Sequence, residues 1–459
     1  MSNPTLKQAP FLSRLSRRQF LKIAGASTFA AAAGVATGAP ASATRGTTPA
    51  MAKHVAKPLD GQELNIFTGN HHDKYVRDLV IPMFQDKTGA KVNYTSIGGG
   101  DIDAKYAVFV ASQDGSQDVL YSWETLNAKY GRTLMEDITT SFPAKTLQGI
   151  APVTVKAFTF LGKRYGIPFD SNIFIMMYNK DLYKAAGLDP EKPPQTWKEF
   201  IAYSKKLTKA GQYATLFTLG DGNASFATFA SMFNSTGSLL YNADLTKFSV
   251  DNEAGLMTMN AINDAITKDK VVDPTGLPLV SSIEQGKVFR AGKFAHYIAA
   301  PNHYTLAQDS TQSQVVGKVG MSIIPGLKLR SGSLGLFEGY GINKYSKNKV
   351  AALAFLDFMV SPEVQKNVVA INWGRPPSRL ATYDDPDVQK ASPQFAVVKQ
   401  QAKFPAPRYG SPFYFDVGTV FSNYMNKMVK GEKTPKAAVT GIQADAQKLV
   451  DAYWAKVKK

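Results

Sequence analysis

The feature that most constrains the fold is an uninterrupted apolar run at residues 173–178. A strand that is apolar at every position leaves no face for water, so the run predicts a strand buried on both faces at the centre of a sheet. Residues 179–181, Asn-Lys-Asp, end that strand and begin a helix. Thr196 with Glu199 three residues later is a capping pattern, and it predicts a second helix over 197–208.

The chain before this run alternates between strand and helix patterns. Strands are predicted at 63–68, 91–97 and 117–121, with helices between them at 75–87 and 104–112. This order implies a mostly parallel sheet with right-handed crossovers, which is an α/β architecture. With 459 residues, of which 44% are hydrophobic, the chain is long enough to bury two substantial cores.

The charge is strongly basic: 53 Lys and Arg stand against 36 Asp and Glu, a formal net charge of +17. Such surfaces attract nucleic acid, anionic lipid or anionic ligands. The lysines, however, are scattered along predicted helices, and no Arg-rich block with interleaved aromatic residues occurs. This distribution argues against nucleic acid as a partner.

The N-terminus has the pattern of an export signal. Arg17 and Arg18 precede an Ala-rich apolar stretch at 23–35, and the small residues 41–43 follow at a cleavage position. This predicts a twin-arginine signal peptide cut near Ala43. The stretch is shorter than the roughly 20 apolar residues of a membrane span. The sequence has no cysteine, hence no disulfide and no lipid-modified cysteine, so we expect a free mature protein in the periplasm.

Several segments together resemble one family. Residues 162–207 combine a Gly-x-Pro turn, the apolar run, a Tyr-Asn-Lys strand end and a Thr-Trp helix start. Residues 285–297, the Ser-Pro-Glu at 361–363 and the Thr-Pro-Lys-Ala-Ala at 434–438 follow in the order of that family. With these motifs the chain resembles the extracellular solute-binding proteins that serve ABC importers, in particular their carbohydrate-binding branch.

The resemblance has two departures. His296 stands where those proteins usually have Met, and the residues 301–304, Pro-Asn-His-Tyr, replace a usual Gly-Trp. The second departure puts a carried-over aromatic contact in doubt, and Tyr304 or His303 is expected to stand in its place. Asn302 beside them is a further candidate ligand residue.

The fold that the resemblance implies is a two-lobed α/β fold of the type II periplasmic-binding-protein class. It has mixed, mostly parallel sheets flanked by helices, and a ligand cleft between the lobes. The ligand contacts both lobes and stabilises their closed arrangement, which docks to a membrane permease. The implied ligand is a carbohydrate or polyol, and the implied protein is a monomer that needs no cofactor. The domains are then a signal peptide (1–43), a flexible tail (44–61), lobe 1 (62–168 and 341–372) and lobe 2 (169–340 and 373–459).

Candidate ligand residues lie where the chain crosses between the lobes. Phe169 offers an apolar face to a sugar ring, and Asp170 is a charge-assisted acceptor for two hydroxyls. Trp373 offers an indole for stacking, and Arg375 a guanidinium fork for oxygens. Glu338 and Tyr340 flank the ligand at a further crossing, where Gly339 and Gly341 suit an unusual φ and close approach of two backbones.

Further candidates lie outside the crossings. Trp123 follows the third predicted strand, at the strand end where open α/β sheets bind ligands. The loop after the first strand supplies Asn70, His71 and Asp73 as hydrogen-bonding groups. Weaker candidates are Asn223, Phe226 and Tyr414. For the aromatic candidates Phe169, Trp123 and Tyr414, packing in a core is the open alternative.

Catalytic patterns are absent from the sequence: it has no cysteine nucleophile, no Gly-x-Ser-x-Gly elbow, no His-Glu-x-x-His and no phosphate loop. His71 and His72 are adjacent, and adjacent side chains point apart on a helix or strand, so no metal site is expected there. Carboxylates are plentiful, so a glycosidase pair stays open. The alternatives are therefore an anionic ligand, such as a sugar phosphate, glycerophosphate or uronate, and a secreted carbohydrate-active lyase or hydrolase.

Overall fold

The computed structural model of the chain describes residues 57–209, 212–279 and 282–457. The predicted signal peptide and residues 44–56 of the predicted tail lie outside these ranges. Leu59 is buried, and its backbone N–H donates to Thr88 O at 2.9 Å, so residues 57–61 pack on the first lobe. Within the described ranges, no helix combines the length and apolar character that crossing a bilayer requires.

The strands of the described part form two main sheets and two small ones. In chain order they are β1 (Glu63–Gly69), β2 (Lys91–Ile97), β3 (Val119–Trp123), β4 (Thr159–Phe160), β5 (Lys163–Arg164), β6 (Ile167–Pro168), β7 (Asn172–Ile173), β8 (Ile175–Asn179), β9 (His296–Ala299), β10 (Val319–Ser322), β11 (Gly335–Leu336) and β12 (Glu338–Ile342).

Helices surround these sheets. The α-helices are Ile81–Thr88, Ile102–Ser112, Glu124–Tyr130, Ala144–Leu147, Pro152–Ala157, Lys180–Ala185, Trp197–Leu207, Gly222–Phe233, Glu253–Asn263, Ser282–Arg290, Asn302–Ala307, Lys349–Met359, Pro386–Ala391, Gln394–Gln401, Tyr414–Val429 and Pro435–Val457. Wider π-helical segments are Asp73–Val80, Asp264–Lys268 and Val364–Asn372, and tight 3-10 turns are Asn70–His72, Gly99–Asp101, Asn234–Thr236, Pro274–Gly276 and Leu380–Asp384.

The first lobe contains a five-stranded sheet in the order β2-β1-β3-β12-β6. β1 runs parallel to both β2 and β3, as the alternating sequence pattern predicts. β12 then pairs antiparallel with β3, and β6 antiparallel with β12. Two segments that carry the chain between the lobes therefore complete this sheet, and they bring their side chains to the lobe boundary.

The second lobe differs from the mostly parallel sheet that we predicted. Its three-stranded sheet, in the order β10-β8-β9, is antiparallel throughout. The strand pattern that led to the prediction covers only the first lobe, whereas β9 and β10 lie more than a hundred residues beyond β8. β8 is central and buried at every position, as its apolar run predicts.

Capping follows the sequence closely at two helices. The Thr196 hydroxyl accepts the Glu199 backbone N–H at 3.2 Å, which begins the helix Trp197–Leu207. Asn179 likewise accepts the backbone N–H of Asp181 at 3.0 Å and begins the helix Lys180–Ala185. Each cap satisfies a donor that the first helical turn leaves without an intrahelical partner.

The two lobes touch across their boundary. One hydrophobic core is built from buried residues of 59–169 and 340–373, and another from buried residues between 217 and 450, many of them in helices. Leu245 and Phe415 pack against both cores, and the ring centroids of Trp123 and Phe415 are 6.3 Å apart. The two lobes are therefore in direct contact at these residues.

Gly339 is required at its position by close packing. A Cβ there would lie 2.1 Å from the Ile167 carbonyl oxygen, because β6 and β12 approach each other closely. The unusual φ that we predicted for Gly339 and Gly341 is not found, since neither is among the described glycines with positive φ. Close approach of neighbouring backbone therefore explains these glycines, and an unusual φ does not.

His296 makes folding sensitive to acid. It is fully buried in β9, its Nε2 lies 2.7 Å from the Tyr183 hydroxyl, and burial lowers its pKa from 6.5 to about 3. The unfolded chain therefore binds a proton between these values that the folded protein does not, so stability falls as the pH drops through this range. Replacing His296 by Met, which cannot titrate, should reduce the stability lost between about pH 7.5 and about pH 5 by about 2 kcal/mol.

The measurement is urea unfolding at the two pH values. Tyr183→Phe is the matched control, because it removes the hydroxyl partner but keeps the imidazole, and it should retain the wild-type pH dependence. An unchanged pH dependence in His296→Met would contradict the assignment.

Candidate ligand site between the lobes

A buried guanidinium lies where the chain passes between the lobes. Arg375 Nη1 is 2.5 Å from Asp170 Oδ2 and also bonds Glu338 Oε2. Asp170 follows β6, Glu338 begins β12, and Arg375 follows the segment Val364–Asn372. The two ion pairs of Arg375 thus join three segments that cross between the lobes. We call Asp170, Glu338, Arg375, His71 and His72 the Arg375 cluster.

Both oxygens of Asp170 are bonded by protein groups. Oδ1 accepts the Glu338 backbone N–H at 3.0 Å, and Oδ2 accepts the Asn172 side-chain amide at 2.9 Å in addition to Arg375. The side chain has no exposed surface. Asp170 therefore joins the crossing segments to one another, where the sequence suggested an acceptor for ligand hydroxyls.

Two adjacent histidines reach the same carboxylate from the turn Asn70–His72. His72 Nε2 lies 3.0 Å and His71 Nε2 3.4 Å from Glu338 Oε2. The other ring nitrogen of His72 lies 2.5 Å from the Tyr340 hydroxyl. The expectation that the two rings point apart is wrong, because a tight 3-10 turn directs both toward the crossing.

The charges of this cluster shape its pKa values. Burial would raise the pKa of Glu338, but the positive charge of Arg375 and the hydrogen bonds of the two histidines hold it well below its usual range. Burial raises the pKa of Asp170 to about 7 against the opposing charge of Arg375. Burial lowers the pKa of His72 to about 3, so this imidazole is neutral at neutral pH.

The same cluster offers a set of metal-ligand atoms. His71, His72 and Glu338 each have one such atom, and the three lie within 4.8 Å of one another. Imidazole and carboxylate are common zinc ligands. Arg375, however, bonds the same Glu338 oxygen as both histidines, and its positive charge opposes a divalent ion there. We therefore assign Glu338 to the ion pair.

Protein groups occupy the faces of Trp373. Its ring stacks on Tyr75, with centroids 4.3 Å apart and planes at 15°, and the Arg375 guanidinium lies 4.0 Å from its centroid. Phe169 is 1% exposed and lies 6.0 Å from both Trp373 and Tyr340. Phe169 is therefore a core residue, which was the alternative to a ligand contact, and Trp373 packs beside it.

A second set of residues spans the two lobes, which we call the Arg408 group: Trp123, Glu124 and Asn127 from the first lobe, and Asn223, Arg408 and Tyr414 from the second. Arg408 Nε is 3.6 Å from Glu124 Oε1. Its guanidinium carbon lies 6.0 Å from the Trp123 ring and 5.4 Å from the Tyr414 ring. The Tyr414 hydroxyl donates to Asn223 Oδ1 at 2.9 Å.

Several buried polar atoms of this group have no hydrogen-bond partner among the described residues. They are Trp123 Nε1, Glu124 Oε1, both side-chain polar atoms of Asn127, and Nε and Nη1 of Arg408. Burial also raises the pKa of Glu124 to about 7 against the charge of Arg408. Arg408 Nε and Glu124 Oε1 face each other in the ion pair described above, whereas Arg408 Nη1, Trp123 Nε1 and the Asn127 amide are open to a ligand, because buried polar atoms in folded proteins normally have partners. Arg375 Nε is a further buried atom at the lobe boundary without a hydrogen-bond partner among the described residues.

The remaining predicted residues belong to neither set, although Asn70 and Phe226 adjoin them. Asn70 is exposed at the start of the histidine turn, and Asp73 accepts a hydrogen bond from Tyr94 at 3.0 Å, on the far side of that turn. Tyr304 packs against a core of the second lobe, whereas Asn302 has a buried Oδ1 without a partner in the described chain. Phe226 is buried, 5.0 Å from Tyr414 and 5.1 Å from Phe421.

Sequence reasoning missed Arg408, Glu124 and Asn127. Glu124 and Asn127 follow Trp123 at the end of a strand, and that position was a usable signal. Arg408 comes from an irregular segment after Gln394–Gln401 and has no periodic pattern around it. His72 was not predicted as a site residue, because the side chains of adjacent residues were expected to point apart.

Comparison of the sequence with models of protein families identifies the family of this chain, because one model matches most of the strands and helices described above. The model of the bacterial extracellular solute-binding protein matches residues 69–366. The chain belongs to this family. A probable amino-acid ABC transporter periplasmic-binding protein of Sinorhizobium fredii is 24% identical over 416 residues, which are 87% of this chain and 92% of that protein.

Solved structures share the two-lobed fold. Maltose-bound MalE3 of T. maritima superposes with a TM-score of 0.76 at 23% identity, covering 84% of this chain and 99% of that one. A solute-binding protein of Agrobacterium radiobacter in complex with ribitol gives a TM-score of 0.75 at 23% identity, covering 86% and 100%. The fold of this family member is therefore the two-lobed α/β fold that the sequence predicts.

The Arg375 cluster should be essential for stability. Replacing Arg375 by Met leaves two carboxylates buried without their counter-ion, which should lower the free energy of unfolding by about 3–5 kcal/mol. Arg77→Met is the matched control, because Arg77 is half exposed and pairs with Asp78 at the surface, where such a pair contributes about 1 kcal/mol or less. Urea unfolding measures both variants, and equal losses would contradict the role assigned to Arg375.

Proposed function

We propose that this protein captures a sugar or polyol between its two lobes and delivers it to the membrane permease of an ABC importer. The single observation that carries the ligand class is the Arg408 group. It presents unpartnered donors and acceptors beside the Trp123 ring, with both lobes contributing. Alternating C–H faces and hydroxyls of a sugar match an aromatic ring bordered by such polar atoms. Family members that bind maltose and ribitol share the fold and support this choice.

The proposed mechanism is ligand-stabilised closure. Trp123, Glu124 and Asn127 bind the ligand from the first lobe, and Arg408 binds it from the second. A ligand that bonds both sets stabilises the closed form over the open form by the free energy of the bonds it makes only there. The permease then recognises the closed arrangement.

The export route and the domain limits form part of the proposal. Residues 1–43 act as a twin-arginine signal that is cleaved near Ala43, and the mature protein works in the periplasm as a monomer. Lobe 1 comprises 62–168 and 341–372, and lobe 2 comprises 169–340 and 373–459. The hydrophobic cores support these limits to within a few residues, because Phe169, Tyr340 and Trp373 at the limits pack in the core of lobe 1.

The protein performs no chemistry on its ligand in this proposal. Asp170 and Glu338 both bond Arg375, and so neither is a free acid or base. A secreted lyase or hydrolase is the competing class. Incubating oligosaccharides with a low concentration of the protein and measuring the released sugar distinguishes the two classes. Steady formation of product would contradict the assignment to transport.

An anionic ligand is the second candidate, and one observation favours it. Nε and Nη1 of Arg408 are two charged donors without a hydrogen-bond partner in the described chain, and guanidinium groups bind phosphate and carboxylate well. Glu124 lies 3.6 Å from that guanidinium and balances its charge, which is why we rank a neutral ligand first.

A thermal-shift screen of neutral sugars, polyols, uronates and sugar phosphates tests the ranking. We expect the melting temperature to rise with a neutral sugar or polyol. For the ligand that gives the shift, Arg408→Met should weaken binding by about 10- to 100-fold, because hydrogen bonds from a charged donor are lost. Exposed Arg77→Met should bind as the wild type does. Stabilisation by anionic compounds alone would overturn the neutral ligand class, and full affinity in Arg408→Met would remove Arg408 from the site.

A further inference from the structure

The second lobe contains a cavity that shares a wall with the Arg408 group. Its volume is about 180 Å³, and Arg408 and Asn223 are among its lining residues. One face of the helix Gly222–Phe233 lines it through Asn223, Ala227 and Ser231, which are spaced one helical turn apart. The cavity therefore borders the proposed sugar site through these two residues. We call it the lobe-2 cavity.

The walls of the lobe-2 cavity are apolar. Aromatic and aliphatic side chains dominate, among them Phe174, Trp197, Phe200, Phe217 and Leu334. A cavity of about 150 Å³ with such walls is large enough to hold benzene in another protein. The lobe-2 cavity thus has room for one six-membered ring or a group of similar size.

Three polar side chains of the wall donate hydrogen bonds to the protein backbone. The Thr228 hydroxyl donates to Thr218 O at 2.9 Å, the Ser231 hydroxyl to Thr228 O at 3.0 Å, and the Gln285 amide to Leu216 O at 3.1 Å. Arg408 differs, since its side chain is 9% exposed and its Nε and Nη1 have no hydrogen-bond partner in the described part of the chain. The lining of the cavity is therefore mostly apolar, with the charged Arg408 side chain on the wall shared with the sugar site.

We propose that the ligand is a glycoside whose apolar aglycone, about the size of a phenyl ring, enters the lobe-2 cavity while its sugar lies in the Arg408 group. This inference rests on the proposed function and narrows its substrate class. Burying the ring against the aromatic walls gives affinity, and the sugar hydroxyls pair with Trp123, Asn127 and Arg408 at the boundary.

The first test compares phenyl and methyl glycosides of the same hexose by isothermal titration, for glucose, galactose and mannose in both anomeric forms. We expect a phenyl glycoside to bind at least about ten-fold tighter than its methyl partner, from the additional apolar area buried. Equal affinities for the two members of every pair that binds would overturn the proposal.

The second test fills the cavity. Ala227→Phe places a ring in it, and this variant should lose the preference for phenyl over methyl glycosides while still binding the methyl glycoside. Ala227→Ser is the matched control, because it keeps nearly the same volume and should retain the preference. A preference that persists in folded Ala227→Phe would contradict occupation of the cavity.

A third measurement separates failure of this inference from failure of the proposed function and does not require the variant to fold. Benzene at saturating concentration should raise the melting temperature of the wild-type protein. If benzene does so while no glycoside binds, the sugar assignment falls and the apolar subsite stands. If neutral sugars bind but neither benzene nor a phenyl group adds anything, the cavity proposal falls and the proposed function stands.

Discussion

The ion pair of Arg375 with Asp170 and Glu338 joins the three segments through which the chain passes between its lobes. Each group comes from a different crossing, and none has more than a small exposed surface. Separating one partner would leave a charge in a low-dielectric interior, so the three segments keep a fixed spacing. Tyr75, Trp373 and Phe169 pack around this ion pair and extend it into the core of the first lobe. We infer that the crossings act as a rigid support on which the lobes close.

The polar groups at the lobe boundary fall into two kinds. Those of the Arg375 cluster are bonded to one another, with Asp170 accepting three hydrogen bonds and His72 using both ring nitrogens. In the Arg408 group, Trp123, Asn127 and Arg408 have buried polar atoms without partners in the described chain. A largely bonded network, in which Arg375 Nε still lacks a hydrogen-bond partner among the described residues, supports structure, and a less complete one has capacity for a ligand. The position of a residue near the cleft therefore does not by itself make it a ligand contact.

Much of the architecture could be predicted because it depends on local pattern. The apolar run of β8, the parallel order of β1, β2 and β3, and the cap at Thr196 each rest on a few neighbouring residues. The antiparallel sheet of the second lobe could not, because its pairings join strands that are distant in the sequence.

The sequence predicted where the candidate residues lie better than it predicted what they contact. The crossings do bring Phe169, Asp170, Glu338, Tyr340, Trp373 and Arg375 together, but most of their contacts are with one another. Residue type alone could not show this, because an arginine that pairs with a buried aspartate and an arginine that binds a ligand look the same in the sequence. Arg408 lacked even a local pattern, since its partners Glu124 and Asn223 are set by the packing of the lobes.

The unpartnered atoms of the Arg408 group also bear on selectivity. Leaving a buried donor or acceptor unpaired costs about 1–3 kcal/mol, so the polar side chains of this group oppose closure, whereas the packing of Phe415 and Leu245 between the lobes favours it. A ligand that pairs these atoms removes the cost, and one that lacks a single hydroxyl leaves part of it in place. Sites of this kind reject an analogue that lacks a bonded group more strongly than an apolar pocket rejects one that lacks a methylene. Affinity from the lobe-2 cavity and discrimination from the Arg408 group would thus be separate properties of one ligand site.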